Sequence, residues 1–309
     1  MTALLLLPLL LPFALPALAR RALDRLAPVA ALWAVTACAV VLAGCSLGAL
    51  GVLLLTGLLK LPLFAALGEL IHPLRTASDL VVLPAAAVSV GALAVCASTL
   101  ARSVLRQARA FRVARTEAGR GPAAGDLCVV DSVRPDAYAL PGRPHRIVVT
   151  TAMLRCLDGP EREALFAHER AHNEGGHHYF LAAAELAAHC HPALRAVRES
   201  IRLAAERAAD EAAAARVGDR RLIARAIARA ALAAQDDHSE RPAFAAAATA
   251  GPVPQRVRAL LTGGRAPRRA GRPIAALLLV CAAVSCVASV AGLADVHHRV
   301  EVAQGDQSP

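Results

Sequence analysis

The residues best suited to chemistry in this chain are His168, Glu169 and His172, in the run Phe166-Ala167-His168-Glu169-Arg170-Ala171-His172. On an α-helix, histidines four residues apart differ by about 6 Å of rise and project from one face, so their rings can share one metal ion. A His-Glu-x-x-His run therefore carries a zinc hypothesis with a mechanism attached. Two neutral imidazoles bind Zn²⁺, and Glu169 is the general base that takes a proton from water. Such a site needs a third protein ligand from another segment. The best candidate is Glu206, in Glu206-Arg207-Ala208-Ala209-Asp210. Residues 195 to 217 read as one long helix, which puts Glu206 and Asp210 on a single face. One acid can then ligate while Asp210 accepts the free N–H of a ligand histidine and fixes its tautomer.

The motif requires a helix, and its flanks supply one. Asp158-Gly159-Pro160-Glu161 combines an N-capping Asp, an early Pro and an acid in the first turn, and Gly175-Gly176 closes the segment. Upstream, Leu127 to Val133 and His145 to Thr150 are short β-branched runs. Pro141-Gly142-Arg143-Pro144 lies between them, which predicts an antiparallel pair joined by an irregular turn. Gly119 to Gly125 reads as a linker. After Gly218, an amphipathic Ala/Arg-rich helix over about 219 to 234 is expected to pack over the site, and residues 236 to 254 read as a mobile loop.

The rest of the chain describes a membrane protein. Hydrophobic residues make up 56% of it, arranged in long uncharged runs between arginine-rich pieces. The runs predict four transmembrane helices, at about 3–19, 29–58, 80–101 and 274–294. A cleaved signal peptide is the rival reading of the first, but its basic residues follow the apolar core instead of preceding it. Arg20, Arg21 and Arg25, then Arg102 to Arg120, then Arg265 to Arg272 flank the spans, whereas the loop 59–80 and the C-terminal tail are nearly neutral. Lys and Arg near span ends mark the cytoplasmic side, so both termini are expected outside the cytoplasm and the domain 102–272 within it. The expected architecture is predominantly α: three spans over 1–101, an inserted α+β zincin-like domain over 102–272, and a fourth span with a short tail over 273–309.

A net charge of +10 would suit nucleic acid, but aromatics are only 3% and no stacking motif accompanies the arginines, so none is expected as a partner. Of the eight cysteines, Cys38, Cys45, Cys96, Cys281 and Cys286 lie in apolar runs and Cys128, Cys156 and Cys190 are scattered, which argues against a disulfide framework.

The pair His168-Glu169-Arg170-Ala171-His172 and Glu206-Arg207-Ala208-Ala209-Asp210 resembles the His-Glu-x-x-His and later Glu-x-x-x-Asp of integral-membrane zinc metallopeptidases. Both BlaR/MecR-like antirepressor peptidases and HtpX or CAAX-protease-like peptidases fit. Ala137-Tyr138-Ala139-Leu140-Pro141-Gly142 resembles the stretch that both groups carry ahead of the active helix. Cys190-His191-Pro192 and the arrangement of three helices before the domain and one after resemble the BlaR/MecR layout. The resemblance implies an endopeptidase with one zinc ion per chain, acting on cytoplasmic or membrane proteins in a regulatory, repressor-cleaving role. An HtpX-like quality-control protease and a non-catalytic membrane transducer or scaffold are the alternatives.

Two departures from the pattern bear on function. The tail 295–309 is too short for a penicillin-binding sensor, so β-lactam sensing does not carry over. No histidine precedes Pro252 in Gly251-Pro252-Val253-Pro254-Gln255-Arg256, where HtpX-like proteins often have one to steady an oxyanion, leaving Arg256, Tyr138 and His238 as substitutes. His177 and His178 follow the Gly pair too closely to provide the third ligand, and His189 and His191 are expected to be interfacial or structural.

Overall fold

A computed structural model describes residues 2–62, 64, 79–120, 123–234, 252–263 and 268–305. Among the described residues, four stretches of helix are long and apolar enough to cross a membrane: Leu4–Arg25, Pro28–Leu58, Leu80–Gly119 and Gly271–Gln304. The first is not straight. Helix α1 (Thr2–Leu10) passes through a 3-10 turn, Leu11–Ala14, into α2 (Leu15–Arg25), which carries the chain past the expected end of the span at residue 19. Pro12 lacks an N–H and so leaves the Pro8 carbonyl without its helical donor. In an apolar setting that group must be satisfied from elsewhere. Ser46 Oγ of α3 (Pro28–Leu58) lies 2.8 Å from it, and His191 Nε2 lies 3.0 Å from the next carbonyl, Leu9.

Helix α3 is apolar on every side, as a membrane helix is. It packs closely on α4 (Asp79–Arg120): a Cβ on Gly57 would sit 2.2 Å from that of Ala86, so the two backbones approach where only glycine fits. Helix α4 runs unbroken through its arginines to Arg120, and Ala123–Ala124 form strand β1. Of the expected linker, Gly119 and Arg120 end a helix and Ala123–Ala124 form a strand, residues 121–122 lying outside the described residues, and Gly125 (φ 64°) and Asp126 turn into β2 (Leu127–Val130).

The sheet corrects the expected strand pairing. β2 and β4 (Arg146–Thr150) are parallel neighbours, and β3 (Ala137–Leu140), which lies between them in sequence, pairs antiparallel with β4. The order is β1-β2-β4-β3. The Pro-Gly turn closes the β3–β4 hairpin, and the chain from β2 crosses to the far edge before it. Alternation then sorts the side chains by face. Cys128, Tyr138 and Val148 pack against Ala114 and Ala118 of α4, whereas Ala137 and Val149 face Met153, Leu165 and Phe166.

After a short helix, α5 (Thr151–Cys156), come α6 (Gly159–Glu174), α7 (His177–Cys190), α8 (Arg195–Val217) and α9 (Arg220–Ala233). Part of the loop expected over 236–254 lies outside the described residues, but its end does not: Val253 already begins helix α10 (Val253–Thr262). The last helix is α11 (Arg268–Gln304). Leu181, Ala184 and Ala187 of α7 and Leu194, Val197, Ile201 and Ala205 at and after the start of α8 share one buried core with α2, α3 and Leu278 of α11. The helices around the His-Glu-x-x-His segment are thus packed directly on the apolar ones.

Candidate metal centre

Helix α6 begins with a reciprocal cap. Asp158 Oδ1 accepts the Glu161 N–H at 2.9 Å, and Glu161 Oε2 accepts the Asp158 N–H at 3.1 Å. Glu161 is buried and also receives Arg225 and Arg229 of α9, at 3.1 and 2.6 Å, which ties the helix start to its neighbour. From this start, Ala164, Leu165, Ala167 and Ala171 face inward and carry His168, Glu169 and His172 with them, all at most 2% exposed. Helix α8 meets α6 where Ala213 and Ala214 pack with Ala164 and Ala167, short side chains that let the two helices approach and bring Glu206 and Asp210 to the histidines.

Three donor atoms converge. His168 Nε2 lies 3.0 Å from His172 Nε2 and 3.5 Å from Glu206 Oε2, and His172 Nε2 lies 3.7 Å from that oxygen. Ligand bonds of about 2.0–2.1 Å at tetrahedral angles place donor atoms about 3.3 Å apart, so this triangle has the size of one face of a zinc tetrahedron. Glu206 is fully buried and its oxygens make no aligned hydrogen bond, although Arg256 Nη1 lies 3.1 Å from Oε2. Two imidazole nitrogens and an ionised carboxylate oxygen facing one another in a dry centre repel unless a cation or a proton lies among them.

The surroundings set how the donors face. Asp210 Oδ1 lies 3.0 Å from His168 Nδ1, off the ideal hydrogen-bond line. Burial disfavours ionised Asp210, but the Arg256 guanidinium, with Nε at 2.9 Å and Nη2 at 2.7 Å, outweighs it and holds the carboxyl below its ordinary value. An ionised carboxylate only accepts, so the His168 proton sits on Nδ1 and the Nε2 lone pair faces the centre. Glu206 is likewise held well below the carboxylate range, burial opposing and Arg256 prevailing. When a proton takes the place of a cation it goes to His168: burial lowers its pKa, but Asp210 and Glu206 reverse that and raise it to about 9.

His172 has an orienting partner that the sequence analysis passed over. His177 Nδ1 lies 2.8 Å from His172 Nδ1, and burial together with His172 pushes His177 down to about 3, so it stays neutral. Sequence spacing set His177 aside as a third ligand, and its position just after a Gly pair was the available signal for this other role. Gly176 (φ 61°) reverses the chain, and a Cβ on Gly175 would sit 2.6 Å from His177 Nε2, in the space the ring occupies.

The remaining candidates lie elsewhere. His191 caps the 3-10 turn at Pro192 and reaches Leu9, a structural role as expected. His189 pairs with Glu185 at 3.4 Å, and His178 stacks against Tyr179. Tyr138 packs on the α4 side of the sheet, the opposite face from the one that meets α6. Arg256 is buried and pairs with both Glu206 and Asp210. His238 lies outside the described residues.

Residues 99–191 match the model of peptidase family M48, less than a third of the chain. No curated protein and no solved structure matches. The family match supports a metal-dependent peptidase and spans α6 with His168, Glu169 and His172. Glu206, Asp210 and Arg256 lie beyond it, so their association with the site stands on geometry alone.

Proposed function

We propose that the chain is a membrane-anchored zinc endopeptidase that cuts cytoplasmic or membrane proteins. The observation that carries this reading is the buried triangle of His168 Nε2, His172 Nε2 and Glu206 Oε2, with separations of 3.0, 3.5 and 3.7 Å, its two histidines on the helix that also carries Glu169 and its carboxylate on α8. These three residues would hold the ion, with Asp210 and His177 turning the two imidazoles toward it. Zinc bound there supplies a Lewis acid for the scissile carbonyl and lowers the pKa of water.

The chain's own part is proton movement and alignment. Glu169 takes a proton from the attacking water at its carboxylate and passes it to the leaving amine nitrogen. Arg256 neutralises the two acids of α8, so that Glu206 stays ionised without uptake of a proton. β3 is an edge strand beside α6, and an extended substrate can add to that edge through backbone hydrogen bonds, which selects for shape more than sequence.

The test is Glu169→Gln in purified full-length protein. The variant should keep its zinc and lose cleavage by at least about 100-fold, the lower end of what a positioned acid–base group contributes. Comparative proteomics of cells expressing each form then separates a single repressor-like substrate from broad quality-control turnover. Unchanged cleavage by the variant would remove Glu169 from the mechanism.

A further inference from the structure

A crevice of about 490 Å³ lies where α4 leaves its apolar stretch and passes the elbow between α7 and α8. Five guanidinium groups line it: Arg102, Arg106 and Arg109 from α4, and Arg195 and Arg198 from the first turn of α8. Glu185 is the single carboxylate in the lining, and it is already engaged by Arg198 at 3.0 Å, His189 at 3.4 Å and Ser103 at 3.3 Å. Arg106, Arg109 and Arg195 pair with no carboxylate among the described residues. Five like charges around one volume, against one spent acid, create a local positive field that favours an anion in the crevice.

Helix α4 alone has a simpler account, since arginines after an apolar run are what the orientation rule requires. That account covers Arg102, Arg106 and Arg109, which share one face at i, i+4 and i+7. It does not cover Arg195 and Arg198, which come from a different helix and converge on the same crevice. The two elements touch just beside the crevice, where Cys96 Sγ, inside the α4 apolar run, reaches the Cys190 carbonyl at 3.6 Å.

We propose that this crevice binds the phosphate headgroup of an anionic phospholipid. Planar guanidinium forks suit phosphate oxygens better than point charges do. The lipid source follows from what adjoins the charge. On the same face of α4 the side chains leading down to the arginines include Val88 and Val95, both more than half exposed, and Leu105 lines the crevice itself. Acyl chains can lie along that surface while the headgroup enters among the arginines. A free phosphate ion would use only the charged half of the site. Occupancy would clamp α4 to the start of α8, the helix that carries Glu206 and Asp210. The inference concerns binding only and holds whether or not the chain cleaves peptides.

The test uses the full chain purified in detergent, with lipid binding followed by native mass spectrometry. Dioleoyl-phosphatidylglycerol should bind and dioleoyl-phosphatidylcholine should not. Arg106→Gln/Arg109→Gln/Arg195→Gln, which removes three guanidinium groups without carboxylate partners, should leave the melting temperature unchanged and weaken phosphatidylglycerol binding by about tenfold or more. Arg20→Gln/Arg21→Gln/Arg25→Gln removes the same charge next to another span and should bind as wild type does. Equal binding by the first variant, an equal loss in the second, or displacement of the lipid by inorganic phosphate at matching concentration would each overturn the proposal.

Discussion

At the scale of single residues, the centre is organised in pairs: each histidine that faces it has a second group fixing its ring. Asp210 does this for His168 and His177 for His172, at 3.0 and 2.8 Å. Removing an orienting group of this kind weakens metal affinity or activity by roughly 10 to 100-fold, whereas removing a ligand empties the site. Asp210→Ala is a poor test, because Arg256 is fully buried and would lose its bidentate partner. Breaking a buried pair on one side costs about 3–5 kcal/mol. Asp210→Asn keeps the shape and one acceptor oxygen for Arg256, which retains the Glu206 carboxylate as its ionic partner, and His177→Ala leaves no buried charge behind. Both should retain the fold by circular dichroism and lower zinc affinity in competition with a chromogenic chelator. Gly175→Ala, which drives a methyl group into the His177 ring, should copy His177→Ala. Wild-type affinity in all three would mean that these contacts only fill space.

At the scale of elements, α6 is held at both ends. Its start is bound by Asp158, Glu161, Arg225 and Arg229. Further along, Arg170 makes two hydrogen bonds to Asp126 in the β1–β2 turn, Nε to Oδ2 at 2.7 Å and Nη2 to Oδ1 at 2.9 Å. The Arg170 guanidinium holds the Asp126 carboxyl below its ordinary value. A lowered folded pKa gives stability that is fully present above the unfolded value, about 4, and is lost as pH falls through the folded one. Both side chains are about a third exposed, so the pair is worth no more than about 1 kcal/mol. Arg170→Ala should therefore lower the melting temperature slightly at pH 7, with the difference from wild type disappearing toward pH 3. A difference that persisted in acid would assign the effect to packing.

Helices α6, α8 and α9 were legible in the sequence because their caps and periodicity are local: Asp158 with Glu161, Gly218, and the apolar repeat after Asp219. The parallel pairing of β2 with β4 was not. It depends on where the chain from β2 crosses, and short apolar runs carry no mark of that. Helix α10 escaped notice for a similar reason. Ten residues opened by two prolines look like a loop until Arg256 finds Asp210, forty-six positions earlier. Glu206 and Asp210 could be paired from their i,i+4 spacing. His177 was marked only by the Gly pair before it, since its role follows from a chain reversal at Gly176.

At the scale of the whole molecule, four apolar helices of membrane length and a helical layer that shares their core make a membrane protein in which the candidate centre lies close to the spans. Which side it faces is an inference from arginine placement. C-terminal fusions of a periplasm-active phosphatase and a cytoplasm-active fluorophore after Gly121 and after Gly305 should give fluorescence only at the first and phosphatase activity only at the second. The reverse pattern would put secreted or surface proteins within reach of the site instead. The central claim, that His168, His172 and Glu206 form one zinc site, is tested most directly by elemental analysis of purified full-length protein beside Glu206→Ala. The account predicts about one zinc per chain in the wild type and almost none in the variant. A wild type without zinc, or a Glu206→Ala protein that carries as much as the wild type, would contradict it.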